Sequence, residues 1–303
     1  MRRDGPLDAG VGCRIAPLGV PTLILSDDAG LLETARVAYD DWRAQPPFAE
    51  PVITLRLEVG GDSGALEEAR IGVEGSRLAL GGAGVAGWAD AISRRAHGVA
   101  PRRLIGAPEA LAEAVTDTLL LFLLARTDRT PLHAAGVMLG DTALVLAGPS
   151  GSGKSTLSLA AMTRELPILS DDTLYIQLQP GVRIWGFRRP IHVFPADAPR
   201  FNHATRRRGG KLKTVIPLSP GAAGPLVADK ATLILLERGD RLALTPIDAK
   251  TALAGLSRLD AGFDLLPQES GAAARALAGD GAWRLTLARD PGAAIDFLRE
   301  RLS

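Results

Sequence analysis

The segment Gly148-Pro-Ser-Gly-Ser-Gly-Lys-Ser-Thr156 constrains this chain more than any other. It fits G-x-x-x-x-G-K-[ST], follows an apolar run (Ala143-Leu-Val-Leu-Ala147), and precedes a helical pattern reaching about Arg164. A buried strand, a glycine loop and a helix, in that order, are the context in which such a loop wraps phosphate. Glycines let the backbone bend until successive N–H groups point inward, and the helix N-terminus adds partial positive charge. Gly148, Ser150, Gly151, Ser152, Gly153, Lys154, Ser155 and Thr156 are therefore the candidate nucleotide-binding residues. Lys154 is expected to reach the β- and γ-phosphates and the Ser155 hydroxyl to occupy a Mg2+ position. Lys154 is also the first of only five lysines in a chain with thirty arginines. A compact ammonium thus stands where a point charge meets phosphate.

Downstream, Leu166-Pro-Ile-Leu-Ser-Asp-Asp-Thr-Leu-Tyr175 places Asp171 and Asp172 at the end of a short apolar strand. Ligand crevices in parallel sheets lie at the carboxyl ends of strands, so this pair is expected near the phosphates. One carboxylate can hold Mg2+ and the other can take a proton from an attacking hydroxyl. His133, in Leu132-His-Ala-Ala-Gly136, precedes the nucleotide strand. His97, His192 and His203 show no pairing or metal spacing and read as structural.

The length of 303 residues suits two domains. Strands at Pro21–Ser26 and Val52–Val59 flank a helix at about Leu31–Trp42. Short strand-like pieces such as Arg77–Leu80 then alternate with glycines up to Gly87. These predict an α+β module over residues 1–105, for substrate docking or regulation. A helix from Pro108 to Arg126, with Leu111, Val115, Thr118, Leu119 and Phe122 at helical spacing, is expected to link it to an α/β domain over 106–303. Further strands are expected at Leu174–Leu178 and Ala231–Leu236, and helices at Ala249–Leu259, Gly271–Ala278 and Gly292–Leu302.

With 46% apolar and 23% charged residues, the composition is that of a globular protein with an aliphatic core. A net charge of +1 sets up no global field toward nucleic acid or anionic lipid. The longest apolar run, Leu119–Ala125, is far short of the ~20 residues of a membrane span. Met1-Arg2-Arg3 runs into Asp4, Gly5 and Pro6, which is not a secretory pattern, and the single cysteine, Cys13, allows no internal disulfide. The expectation is a cytoplasmic protein with no membrane and no nucleic-acid partner.

His133, fifteen residues to Gly148, the glycine loop and then Asp171-Asp172 together resemble the HPr kinase/phosphorylase family over roughly residues 130 to 240. That resemblance implies a P-loop kinase core shared with phosphoenolpyruvate carboxykinase, with ATP and Mg2+ as cofactors and phosphoryl transfer to a serine of a peptide or protein. It also implies that Asp171 acts as general base, that Asp172 holds the metal or orients the base, and that His133 and Lys154 support catalysis. The family's Glu-containing phosphorolysis signature has no clear equivalent in Arg183-Ile-Trp-Gly-Phe-Arg-Arg-Pro-Ile191. The first hundred residues differ from the usual regulatory domain. The chain looks more similar to the HPr-kinase-like enzymes that phosphorylate natural-product precursor peptides, including lasso-peptide precursors.

Residues 183 to 213 carry Arg183, Arg188, Arg189, Arg200, Arg206, Arg207, Arg208, Lys211 and Lys213 against Asp197 alone. Arg188, Arg189, Lys211 and Lys213 are expected to form the acceptor or phosphate site, and Arg206–Arg208 a solvated loop. Aromatic residues are not interleaved with these charges, as stacking on nucleic acid would need. A small-molecule hydroxyl kinase and a nucleotide-gated binding module are the other readings.

Overall fold

The chain folds as two compact units, Met1–Thr127 and Asp128–Ser303. The computed structural model describes residues 12–43, 50–61, 69–198, 204–208, 211–218, 226–257, 259, 267–279 and 281–302. Met1-Arg2-Arg3, Arg200 and His203 lie outside these, and so do the side chains of Arg207 and Arg208.

The first unit is a seven-stranded sheet of β1 (Gly12–Ile15), β2 (Thr22–Ser26), β3 (Ile53–Gly60), β4 (Arg70–Glu74), β5 (Arg77–Gly82), β6 (Val85–Asp90) and β7 (Arg95–Pro101). The strand order is β1-β2-β3-β7-β6-β5-β4. Strands β2, β3 and β7 run parallel, joined between β2 and β3 by helix α1 (Ala29–Ala38), while the glycine-punctuated pieces become an antiparallel meander. Asp28 caps α1 by accepting from the Leu31 N–H at 2.8 Å, a side-chain cap of the kind that usually starts a helix.

The expected connecting helix belongs to this unit, so the boundary lies at 127/128 instead of near 105. It comprises α2 (Pro108–Leu111), a π-turn (Ala112–Thr116) and α3 (Asp117–Leu124). Its apolar face is the reason: Val115, Leu119, Leu120, Phe122 and Leu123 are buried, and α3 packs on β5, β6 and β7. At about 1.5–3 kcal/mol per buried large apolar side chain, a helix this greasy cannot remain a solvated connector. Gly98 admits it closely, since a Cβ there would lie 2.8 Å from Val115.

The second unit is built on a mixed six-stranded sheet in the order β11-β9-β10-β18-β20-β19. Its strands are β9 (Ala134–Leu139), β10 (Thr142–Ala147), β11 (Ile168–Ser170), β18 (Lys230–Arg238), β19 (Ala243–Ile247) and β20 (Ala282–Leu287). Helices α4 (Lys154–Met162) and α7 (Pro291–Leu302) pack together and share one apolar cluster with Leu144 and Leu146. Helices α5 (Ala249–Leu256) and α6 (Pro267–Ala278) share the other cluster with Ala143, Val145 and Ala147. Alternate residues of one strand thus feed opposite faces, which is why β10 reads as an unbroken apolar run.

A four-stranded antiparallel sheet, β17-β13-β12-β8, is formed by β8 (Thr130–Leu132), β12 (Leu174–Gln177), β13 (Arg183–Gly186) and β17 (Val227–Ala228). A three-stranded one, β14-β16-β15, is formed by β14 (Ile191–Val193), β15 (Thr205–Arg208) and β16 (Lys211–Ile216). Arg206–Arg208 therefore lie in a strand paired to β16, not in a loop. No described helix is long and apolar enough to cross a membrane.

Candidate active site

Strand direction assembles the site. β10 and β18 are parallel; β9 is antiparallel to β10 and β11 is antiparallel to β9, so β11 runs the same way as β10. The C-terminal ends of β10, β11 and β18 and the N-terminal start of β9 therefore meet at one edge. Gly148, Asp171 and Arg238 lie at those strand ends. Ala134 pairs with Ala147, which brings His133 level with the start of the glycine loop.

The loop folds tightly on itself. A Cβ at Gly148 would lie 2.6 Å from Ser152 Oγ, and the Ser152 N–H donates to Pro149 O at 3.1 Å. Gly151 and Gly153 have φ of +83° and +112°, the left-handed region that glycine enters at little cost. Gly153 is the N-cap of α4, and no side chain caps it. The first amides of α4 therefore keep their donors for another acceptor, together with the helix's partial positive charge. The buried Lys154 ammonium donates to Gly148 O at 2.6 Å and to Pro149 O at 3.3 Å, holding the charge under the loop.

After β11 the chain turns sharply. Ser170 Oγ donates to Phe187 O at 3.3 Å and accepts from the Thr173 N–H at 3.3 Å, pinning the acid pair between them. Asp171 is buried. Its Oδ2 accepts from the His192 backbone N–H at 3.2 Å, and its Oδ1 is buried without a hydrogen bond. Burial pushes its carboxyl up to about 6 and the charge of Asp172 adds to this, while the His192 N–H and the neighbouring Ser158 and Ser155 hydroxyls pull the other way. Ser158 lies beside the carboxylate without closing a hydrogen bond, its Oγ buried and unpartnered. Asp172 is 48% exposed, and its Oδ1 stands 3.5 Å from His133 Nδ1.

These groups converge on a cleft of about 350 Å3, lined by His133, Lys154, Ser155, Asp171 and Asp172. Ser150, Gly151, Gly153 and Thr156 also reach it, whereas Gly148 and the buried Ser152 shape the loop from behind. Of the four expected acceptor residues, Lys211 and Lys213 line the cleft, on one face of β16, and Lys213 Nζ sits 3.5 Å from the Phe194 ring centre. Arg188 and Arg189 do not line it: Arg188 is buried, and the Arg189 guanidinium lies 4.7 Å over the Phe187 ring.

The sequence reading missed His192, Val193, Phe194, Asp197 and Arg238, all of which line the cleft. His192, read as structural, lines the cleft and tethers Asp171 through its backbone. Phe194 follows two residues later on the same side. Arg238 ends β18 and approaches Gly151 O at 3.5 Å. Its one available signal was its position at the end of the apolar run Ala231–Leu236. His97 does hold a structural place, with Nε2 3.2 Å from Glu58 Oε1 and its ring stacked on Trp88.

Among the groups facing the cleft, the Ser155 hydroxyl and the Asp171 and Asp172 carboxyls are hard oxygens. Ser155 and Asp172 suit Mg2+, and among the described residues no group of three or more His, Cys, Asp or Glu could hold a metal alone.

The second unit is thus an α/β fold carrying a glycine-rich loop and an acid pair at one sheet edge. No family model and no curated protein matches the sequence. Among solved structures, the fold is similar to the HPr(Ser) kinase/phosphatase from Coxiella burnetii, with 11% identity over 56% of this chain and 93% of that one, at a TM-score of 0.30. A likeness of that size says nothing about chemistry, which rests on the residues themselves.

Proposed function

We propose that the protein is an ATP-dependent kinase that transfers the γ-phosphate to a serine hydroxyl of a peptide or protein. The observation that carries this reading is the convergence of Lys154, Ser155, Asp171, Asp172 and His133 on one cleft at the strand ends. The α4 amides and Lys154 would bind the phosphates, and Ser155 and Asp172 would hold Mg2+, which supplies charge neutralisation at the β- and γ-oxygens. Asp171, whose side chain lines the cleft, would accept the serine proton as the serine oxygen bonds to the γ-phosphorus and the bond to the β-bridging oxygen breaks, releasing ADP. His133 would orient Asp172. Lys211 and Lys213 would stabilise the charge that develops on the transferring group and align an anionic acceptor.

The test is mass spectrometry of candidate acceptors, peptides encoded beside this gene first, after incubation with ATP and Mg2+. A gain of one phosphate on serine is expected. ATP turnover with phosphate gained only by small hydroxyl compounds would overturn the peptide reading. ATP binding with no transfer at all would favour a nucleotide-gated module.

A further inference from the structure

The small sheet β14-β16-β15 has two unlike faces. Ile191, Val193, Thr214 and Ile216 are buried, and the three aliphatic ones join the apolar cluster shared by α4 and α7. The residues between them alternate to the other face. His192, Phe194, Lys211 and Lys213 line the cleft from there, and the exposed Arg206 stands directly opposite Lys213 in the register of β15 with β16. We infer that this face docks an acidic flank of the acceptor peptide, so that the serine to be phosphorylated carries carboxylates within about four residues of it. The inference rests on the reading of the cleft as a kinase site.

Charge carries the argument. The strands Ile191–Val193, Thr205–Arg208 and Lys211–Ile216 contain no acidic residue. Like charges directly opposite on neighbouring strands destabilise a sheet. The pairing of Arg206 with Lys213, two residues from Lys211 on the same face, is therefore unfavourable in the protein alone, and an anion lying across the face offsets it. Asp197, the acid of the turn after β14, lies toward the glycine loop instead, where it lines an adjoining hollow with Gly153, Thr156 and Arg238. The donor nucleotide does not account for the whole strip. The α4 amides and Lys154 already face its phosphates in the reading above, whereas Arg206 lies beyond the residues that line the cleft.

Strand spacing sets the reach. Asp171 Oδ2 accepts from the backbone N–H of His192, so β14 adjoins Asp171, and β16 and then β15 follow at about 4.8 Å per strand. The cations of β16 and β15 thus stand about 5 and 10 Å beyond β14. Two to four residues of extended peptide, at about 3.3 Å each, cover that span. Phe194 is 37% exposed, and the Lys213 ammonium 3.5 Å from its ring centre is held on the face by the attraction of a cation to an aromatic ring. A peptide crossing from Asp171 would meet that ring beside the cations.

The test is fluorescence anisotropy with three labelled peptides of one length, each with a central serine flanked at the second to fourth positions on both sides by Glu, by Gln or by Lys. They are titrated with the protein in saturating Mg-ADP, whose own binding is measured by calorimetry. The wild type should bind the Glu peptide about tenfold or more tighter than the Gln peptide and leave the Lys peptide unbound, a preference that falls as salt rises. Arg206→Glu, a change at an exposed position outside the cleft lining, should weaken the Glu peptide about tenfold and leave Mg-ADP affinity as it was. Equal affinity of the wild type for the Glu and Gln peptides, or no binding of either, overturns the docking face, as does an Arg206→Glu variant that keeps the full preference. Displacement of the Glu peptide by single-stranded DNA at lower concentration than by unlabelled Glu peptide overturns it in favour of nucleic acid. A wild type that fails to bind Mg-ADP overturns the kinase reading and this inference together, whereas intact Mg-ADP binding without the Glu preference removes the docking face alone.

Discussion

Burial takes the carboxyl of Asp171 out of water and leaves its Oδ1 without a hydrogen bond, so the folded chain favours the protonated form. With the folded value raised from 3.8 to about 6, the stability that this group contributes is present below about pH 4 and is lost as pH rises through 6. The loss amounts to about 3 kcal/mol at 1.36 kcal/mol per pK unit. Asp171→Asn, melted without nucleotide and with a chelator, should gain stability over the wild type at pH 8 and none at pH 4. An equal gain at both pH values would show that the carboxylate is not strained. The same variant should lose transfer by about 10²- to 10⁴-fold while still binding nucleotide, as expected for removal of a general base. Lys154→Ala should lower transfer by about 10²-fold or more, the usual effect of deleting a charge-stabilising donor. Its circular dichroism should stay native-like, because Lys154 Nζ contacts loop carbonyls and not apolar core.

Among the elements, β11 and β13 have the least tolerance. A Cβ on Gly186 would lie 2.1 Å from the backbone oxygen of Leu169, so Gly186→Ala must push β13 off the strand that ends in the acid pair. Overpacking against backbone should cost about 2–3 kcal/mol, readable as a lowered urea midpoint, and should cut transfer although no cleft residue is changed. The β16 strand makes a different claim. Reversing charge with Lys211→Glu and Lys213→Glu together should raise the acceptor KM about tenfold or depress kcat. Arg189→Ala should leave the acceptor KM nearly unchanged, since that guanidinium packs on Phe187 away from the cleft. Equal effects from the two variants would return Arg189 to the acceptor site.

At the scale of the whole molecule, the cleft proposed to hold the donor lies within Asp128–Ser303. Hydrogen exchange with and without Mg-ADP should therefore show new protection in 148–158, 168–173 and 236–239, while the buried strands of residues 22–26 and 53–60 stay as they were. Protection spreading evenly over both units would contradict a local donor site. At a ligand concentration a hundred times Kd, the accompanying stabilisation should be about 2.7 kcal/mol.

The glycine loop, its strand and helix, and the acid pair after an apolar run were legible in the sequence, because each depends on neighbours a few residues away. A loop needs glycine where φ is positive, and a buried strand needs apolar side chains on both faces. The helix at 108–124 was legible as a helix but not as part of the first unit, since only the partner strands decide what its apolar face covers. The tertiary structure alone decided the composition of the cleft. Arg238 and His192 enter through the pairing of β18 with β10 and of β14 with β16, contacts between residues far apart in sequence that leave no local pattern. The same long-range pairing turned Arg206–Arg208 into a strand and set Arg188 and Arg189 aside from Lys211 and Lys213. Local chemistry specifies what a segment can bind, but the direction and register of distant strands determine which segments share one site.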